Sequence, residues 1–292
     1  MARRAAEYHG GSSCSGSGNR PPALGSTENT ALQPASISPE RTDGPTWTEQ
    51  LAALDEVGWR FSFAYQPIVD ARSREVISYE ALVRGPHGEL SAEVFARVRK
   101  SNLRRFDHLC HLRAIEIAAR LGISTQLNLN LFTRANHITQ AGIRLTLHAA
   151  MDMGLPSERL VFEICEAARL IDYARLTEIF RSHEQFGFQT AIDDFGTGYS
   201  GLKFLVEYQP GYIKLDRNLI AGIDEDRVRQ SIVRGLLQVC RSLSIDLMAE
   251  GVETADEYRW LFMEGVYLFQ GFYFGRPAFE ALPEVPAALF SI

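Results

Sequence analysis

From about residue 60 onward, short apolar runs alternate with longer stretches in which apolar residues recur every three to four positions. The first pattern fits buried strands and the second fits amphipathic helices. Phe61 to Val69 and Val76 to Arg84 read as two strands joined by a polar turn, a spacing that makes them antiparallel. Pro67, inside the first, suits an edge or a bulge. Helical patterns cover Thr48–Val57, Ala92–Lys100, Phe106–Ala119, Ile138–Met153, Tyr173–Glu184, a short stretch after Ser200, Asp226–Leu243 and Ala255–Met263. In the segment Asp226–Leu243 the apolar residues Val228, Ile232, Leu236 and Val239 stand at helical spacing. Strands are predicted at Thr125–Leu131, at Arg159–Glu163, up to Asp193 and Asp194, and at Gly211–Asp216, Ile245–Glu250 and Tyr267–Gln270. About eight strands separated by helices predict an α/β fold: a modified (β/α)8 TIM-type barrel with an antiparallel first strand pair. Residues 1–45 are rich in Gly, Ser, Pro, Asn and Thr and lack periodic apolar positions. They are expected to form a disordered tail ahead of one folded domain over residues 46–292.

Active sites of such barrels lie at the C-terminal ends of the strands. Asn130, Glu163, Asp193, Asp194, Lys214, Glu250 and Gln270 all stand at or near such ends. Glu80 lies inside its strand among apolar neighbours, where an acid is rare unless paired or metal-bound. The adjacent Asp193 and Asp194, followed by a glycine-spaced loop, repel each other unless a cation sits between them. An oxygen-rich set of this size suits hard divalent ions such as Mg²⁺ or Mn²⁺ better than zinc. Two ions about 3.5–4 Å apart, bridged by one aspartate, would use the set fully and suit phosphodiester hydrolysis. Lys214 could orient or deprotonate the attacking water, with its pKa lowered beside two cations, or simply pair with the carboxylates.

Composition narrows the function further. The chain has 292 residues, 46% of them hydrophobic, enough for one large core. It contains no apolar run long enough to span a membrane and no signal-peptide core, so a cytoplasmic protein is expected. A net charge of −6 argues against a general DNA-binding surface. Cys14, Cys110, Cys165 and Cys240 lack paired or metal-type spacing and read as free thiols. Of 30 basic residues only Lys100, Lys203 and Lys214 are lysine, which draws attention to Lys214 in its apolar strand. His108 and His111 flank Cys110 at a spacing that could bind metal, but without a further partner they read as ordinary helix residues. There is no P-loop and no dinucleotide fingerprint.

The ordered motifs resemble those of the EAL-domain cyclic di-GMP phosphodiesterases. They run from Tyr65-Gln66-Pro67-Ile68-Val69 and Glu80-Ala81-Leu82-Val83-Arg84, through an asparagine strand, to Glu163-Ile164-Cys165-Glu166. Asp193-Asp194-Phe195-Gly196-Thr197-Gly198-Tyr199-Ser200, Ile213-Lys214-Leu215-Asp216 and Ala249-Glu250-Gly251-Val252-Glu253 follow, then Gln270-Gly271 through Arg276-Pro277. The resemblance covers about Trp59 to Pro283. It implies a bacterial enzyme that linearises cyclic di-GMP to pGpG with two Mg²⁺ or Mn²⁺ ions, with Lys214, Glu80 and Glu250 as catalytic residues. One ion would be held by Glu80, Asn130, Glu163 and Asp193, and the other by Asp193, Asp194 and Glu250. Gln66, Arg84, Glu253 and Gln270 would lie around the substrate or next to the ions. Glu166 would brace the loop after Asp194, which in this family couples homodimer formation to metal binding. The asparagine motif departs from the family's Asn-x-Ser. Asn130 is favoured as the ligand for its place nearer the strand end, with Asn128 as the alternative. Gly201 follows Ser200 where the family often has serine, a change glycine tolerates. No Gly-Gly-Asp-Glu-Phe motif occurs, and the tail stands where sensor or cyclase domains often lie. Control is therefore expected through expression, a regulatory protein partner or dimerisation. The alternatives to an active enzyme are a catalytically silent cyclic di-GMP receptor and, ranked last, an interaction protein that binds neither nucleotide nor metal.

Overall fold

Among the described residues nine strands form one sheet, and its pleat positions the site. The computed structural model describes residues 46–57, 60–131, 138–166, 173–197 and 201–291; the expected tail lies outside them. The strands are β1 (Ser62–Asp70), β2 (Glu75–Arg84), β3 (Gln126–Leu131), β4 (Leu160–Cys165), β5 (Gln189–Phe195), β6 (Tyr212–Leu215), β7 (Asp246–Ala249), β8 (Leu268–Gln270) and β9 (Ala278–Phe279). Strands β2 to β8 pair in sequence order and parallel. β1 runs antiparallel to both β2 and β8 and closes the barrel. β9, not anticipated from the sequence, adds to β1 from outside at Ala64 and Tyr65. Pro67 lies between the stretches of β1 that pair with β8 and β9, one residue before a register shift at Ile68/Val69.

The helices are α1 (Trp47–Val57), α2 (Ser91–Ala96), α3 (Leu103–Arg120), α4 (Gln140–Asp152), α5 (Tyr173–Arg181), α6 (Gly201–Glu207), α7 (Arg217–Ile220), α8 (Arg227–Leu243) and α9 (Ala255–Glu264). Several begin at side-chain caps. Thr139 accepts from the Gly142 amide, Asp226 from Val228 and Arg229, and Thr254 forms a capping box with Glu257. α2 stops at Ala96, short of the expected Lys100, and Lys100–Asn102 forms a 3₁₀ turn into α3. In α8 the expected apolar stripe is split: Val228 is 70% exposed and Ile232 45%, and Val239 is exposed too, while Leu236 packs against the core. The fully buried face is the neighbouring stripe of Val233, Leu237 and Cys240.

Two apolar layers result. The larger fills the space between sheet and helices, with Phe162, Phe180, Phe204 and Phe269 almost fully buried. Each such side chain contributes about 1.5–3 kcal/mol by leaving water. The smaller layer lies inside the barrel: Ile68, Val161, Ala191, Tyr212, Met248 and Leu268. Residues two apart share a strand face. Moving two positions toward the C-terminal end of β4 to β8 therefore replaces Val161 by Glu163, Ala191 by Asp193, Tyr212 by Lys214, Met248 by Glu250 and Leu268 by Gln270. In β1, which runs the other way, the step is from Ile68 back to Gln66. An apolar plug thus floors a polar ring at the mouth.

The end of β8 is held by close backbone approach. A Cβ on Gly271 would lie 2.1 Å from the Val252 carbonyl oxygen, which is backbone and has no rotamer to yield. We expect Gly271→Ala to cost about 1–3 kcal/mol, an overpacking penalty, read as a lower midpoint in chemical unfolding.

Candidate functional site

The polar ring converges on one ammonium group. Lys214 Nζ, fully buried, lies 3.0 Å from Glu80 Oε2, 3.2 Å from Glu163 Oε2, 3.0 Å from Asp193 Oδ1 and 3.2 Å from Glu250 Oε2. These five residues come from β2, β4, β5, β6 and the residue just past β7. Amide side chains fill the gaps. Asn130 Nδ2 donates to Glu80 Oε1 at 2.7 Å, and Gln270 Nε2 donates to Glu80 Oε2 at 2.7 Å and to Gln66 Oε1 at 3.2 Å. Gln66 in turn donates to the Gly275 carbonyl at 3.1 Å, fixing β1 to the loop after β8.

β5 departs from regular pleating where it matters. Its pairing with β6 shifts register between Ile192 and Phe195, and Asp194 has φ of 55°, in the left-handed region. In a regular strand Asp193 and Asp194 would point to opposite faces. The bulge brings both into one cluster with Glu250. Glu166 supports the turn that follows: its Oε2 accepts from the Gly196 amide at 2.7 Å, while its own amide donates to the Asp193 carbonyl at 2.9 Å. Gly196 needs to be glycine, with φ of 100° and Leu219 Cδ1 only 2.4 Å from where a Cβ would stand. Residues 198–200 of this loop, including the expected helix start at Ser200, lie outside the described residues.

Among the described residues, two groups of acids are close enough to hold a cation: Glu80, Glu163 and Asp193, and Asp193, Asp194 and Glu250. Asp193 belongs to both. Asp193 Oδ1 and Glu250 Oε2 are buried and, although near Lys214, make no hydrogen bond of good geometry. All-oxygen donors with unsatisfied buried oxygens fit a hard divalent ion. The charges are strained without one. Burial pushes the Glu163 carboxyl well above the usual range, with Glu80 adding to it and Lys214 opposing it. Burial and Asp193 raise Glu250 against the pull of Lys214. Burial also works to raise Asp193, but Lys214 and the Glu250 contact outweigh it and hold that group low. For Lys214, burial favours the neutral amine, yet its four carboxylates prevail and keep it charged far above its ordinary range. The lowered value expected beside two cations therefore does not describe the metal-free protein.

The other candidates divide. Asn130 and half-buried Arg84 line a cavity of about 250 Å³ with Glu80, Asp193 and Glu250. Arg84 donates to its neighbour's carbonyl, and burial lowers its pKa. Asn128 lies one step deeper, fully buried, with its amide on Glu163 Oε1 at 2.6 Å. Glu253 sits exposed at the rim, 3.0 Å from Arg217, and is not drawn into the ring. His108, Cys110 and His111 join neither acid group. His111 bonds the Asn130 carbonyl at 3.0 Å, and burial pushes His108 down to about 4. Cys110, Cys165 and Cys240 are free thiols, and Cys14 lies outside the described residues. Sequence reasoning passed over Ser78 and Tyr212, each two residues before a ring member on the same strand face. That spacing was the available signal. A larger cavity of about 560 Å³, bordered by Arg104, Asp107, His108 and Thr139, contains none of the ring carboxylates.

Residues 50–277 match the EAL domain family. The chain belongs to the EAL domain family. Among solved structures, this EAL domain is similar to a standalone EAL protein of Vibrio cholerae O395 in its c-di-GMP-bound form. The TM-score is 0.76 at 42% identity, covering 80% of this chain and 99% of that one. A manganese/cy-diGMP complex of Klebsiella pneumoniae BlrP1 gives a TM-score of 0.74 at 33% identity, over 78% of this chain and 58% of that one. Among curated relatives, Escherichia coli BluF, named as a blue light- and temperature-regulated antirepressor, is 28% identical over 76% of this chain and 56% of its own length. PdeN of the same organism, named as a probable cyclic di-GMP phosphodiesterase, is 30% identical over 75% of this chain and 43% of its own length. The EAL domain chain thus spans about half the length of these curated relatives.

Removing one partner from a buried charge cluster costs about 3–5 kcal/mol. Lys214→Met should destabilise the metal-free protein by an amount of that order. Because Glu163 and Glu250 take up protons more readily than ordinary carboxylates, acid can replace the lost ammonium. The loss should therefore be larger at pH 8 than at pH 5, measured by denaturant unfolding at both.

Proposed function

We propose that this EAL domain is a metal-dependent phosphodiesterase that hydrolyses cyclic di-GMP to linear pGpG with two Mg²⁺ or Mn²⁺ ions. The observation that carries the reading is the ring itself. Two carboxylate groups share Asp193 and stand beside one buried lysine at the mouth of the barrel. The manganese/cy-diGMP and calcium/cy-diGMP complexes of BlrP1 and the c-di-GMP-bound form of the Vibrio protein support the ligand and the class of ion. Glu80, Asn130, Glu163 and Asp193 would hold one ion, and Asp193, Asp194 and Glu250 the other. When bound, the ion pair supplies Lewis acidity toward water and phosphate. Arg84, at the edge of the cavity, would face the substrate's negative charge, with Gln66, Gln270 and the rim residue Glu253 orienting its remaining polar groups. Lys214, held by four carboxylates, would keep or pass a proton at Nζ for the attacking water. Glu166 would keep Asp193 and Asp194 in register through Gly196.

The wider proposal is a cytoplasmic homodimer in which residues 46–292 form the EAL domain, open to a regulatory protein partner. No described helix is long and apolar enough to cross a membrane. The second reading, a silent cyclic di-GMP receptor acting through a protein partner, draws on the relative named as an antirepressor. The complete ring favours the enzyme.

With Mg²⁺ or Mn²⁺, purified protein should convert cyclic di-GMP to pGpG. EDTA, or Glu80→Ala, should reduce product to background, since each removes the ions or a ligand. Nucleotide binding without product in either metal would establish the receptor reading instead.

A further inference from the structure

Each acid group is backed by a donor that belongs to neither group. Asn128, fully buried on β3, donates Nδ2 to Glu163 Oε1 at 2.6 Å. The orientation of its amide is set from the other side: Ser78 Oγ donates to Asn128 Oδ1 at 2.5 Å, which leaves the NH₂ group facing Glu163. Tyr212, on the apolar floor, meets the same NH₂ with its hydroxyl. Glu163 is thus gripped on Oε1 from below, while its other oxygen, Oε2, faces Lys214 and the mouth. Two residues beyond Glu163, at the end of β4, the half-buried Cys165 donates Sγ–H to Asp194 Oδ2 at 3.2 Å. Glu163 lies only in the first acid group and Asp194 only in the second.

We infer that Asn128 and Cys165 are positioning residues, each assigned to a different ion position of the shared-aspartate site. This rests on the two-ion reading proposed above. The physical reason is cost of reorganisation. A carboxylate free to rotate must be ordered when a cation arrives, whereas one already held through a single oxygen presents the other at no further cost. Asn128 is neutral and so grips Glu163 without competing for its charge. A charged donor there would act as a second Lys214 and oppose the cation. Cys165 gives a weaker bond than an amide would, so the second position is held more loosely than the first. Asn128 therefore has a place in the site without being a ligand: it lies one layer beneath Asn130, which itself bonds Glu80 at the cavity wall.

The test is a calorimetric Mn²⁺ titration of the metal-free full chain, with unfolding midpoints recorded alongside. Wild type should show two binding steps. Asn128→Leu should weaken one step about 10–100-fold, the usual cost of losing a partner behind a metal ligand, and leave the other within twofold. Ser78→Ala, which leaves Asn128 in place but frees its amide to turn, should weaken the same step by less. It keeps the test open if Asn128→Leu does not fold. Cys165→Ala should weaken the other step, and Cys165→Ser, which restores a donor, should recover it; a merely structural role would not show that recovery. Unchanged steps in Ser78→Ala and Cys165→Ala, or loss of the same step in both, would overturn the inference while leaving the two-ion reading intact. A wild type that binds no Mn²⁺ would overturn the two-ion reading itself.

Discussion

A buried ammonium shared by four carboxylates is the constraint on which the rest of the site depends. Five ionisable side chains inside a barrel cannot all be desolvated and unpaired; each would cost several kcal/mol. Lys214 makes the arrangement possible by standing within 3.2 Å of Glu80, Glu163, Asp193 and Glu250 at once. One positive charge cannot balance four negative ones, however. Burial and their acidic neighbours raise the Glu163 and Glu250 carboxyls, which favours the protonated form of both. Divalent ions would take over from those protons, which links metal affinity to pH through the same residues.

The barrel supplies this cluster without becoming a water-filled pore. Ile68, Val161, Ala191, Tyr212, Met248 and Leu268 seal the lumen below it. On β1 and on β4 to β8 the polar ring begins two residues from the floor, a consequence of the two-residue repeat, whereas on β2 and β3 the residues beneath Glu80 and Asn130 are the polar Ser78 and Asn128. Because β1 is antiparallel, it can place Gln66 in the ring and Ile68 in the floor only by carrying them in reverse order, which it does. The reversed strand is thus matched in sequence to its reversed direction.

Much of this was legible in the sequence, for a reason that also sets the limit. Strands that end in an acid after an apolar run announce both their register and their mouth end, so Glu163, Asp193, Lys214, Glu250 and Gln270 could be gathered before any coordinates. The antiparallel pair followed from its short turn. What the pattern could not carry were departures from periodicity and choices between equal periodicities. α8 has two apolar stripes one residue apart, Val228–Ile232 and Val233–Leu237, and spacing alone does not say which meets the barrel. β9 is too short to have a period. Asn128 and Asn130 share a strand face, so only depth within the barrel separates the one under Glu163 from the one beside Glu80.

The bulge in β5 shows how local strain becomes chemistry. A non-glycine residue in the left-handed region is costly, and aspartate is among the residues that tolerate it best. Placing that cost at Asp194 lets two successive carboxylates face one mouth, which regular pleating forbids. The distortion is not left to Asp194 alone. Glu166 ties the amide of Gly196 to the strand carbonyl of Asp193 through its own side chain and backbone, bracketing the bulge on both sides. Asp193 can then serve both acid groups because its neighbour has been turned, not because the strand has been widened. A loop that loosened Glu166 from Gly196 would relax Asp194 toward the ordinary pleat and dismantle one acid group while sparing the other. The acid group of Asp193, Asp194 and Glu250 is for that reason the one through which events at this loop would reach the site.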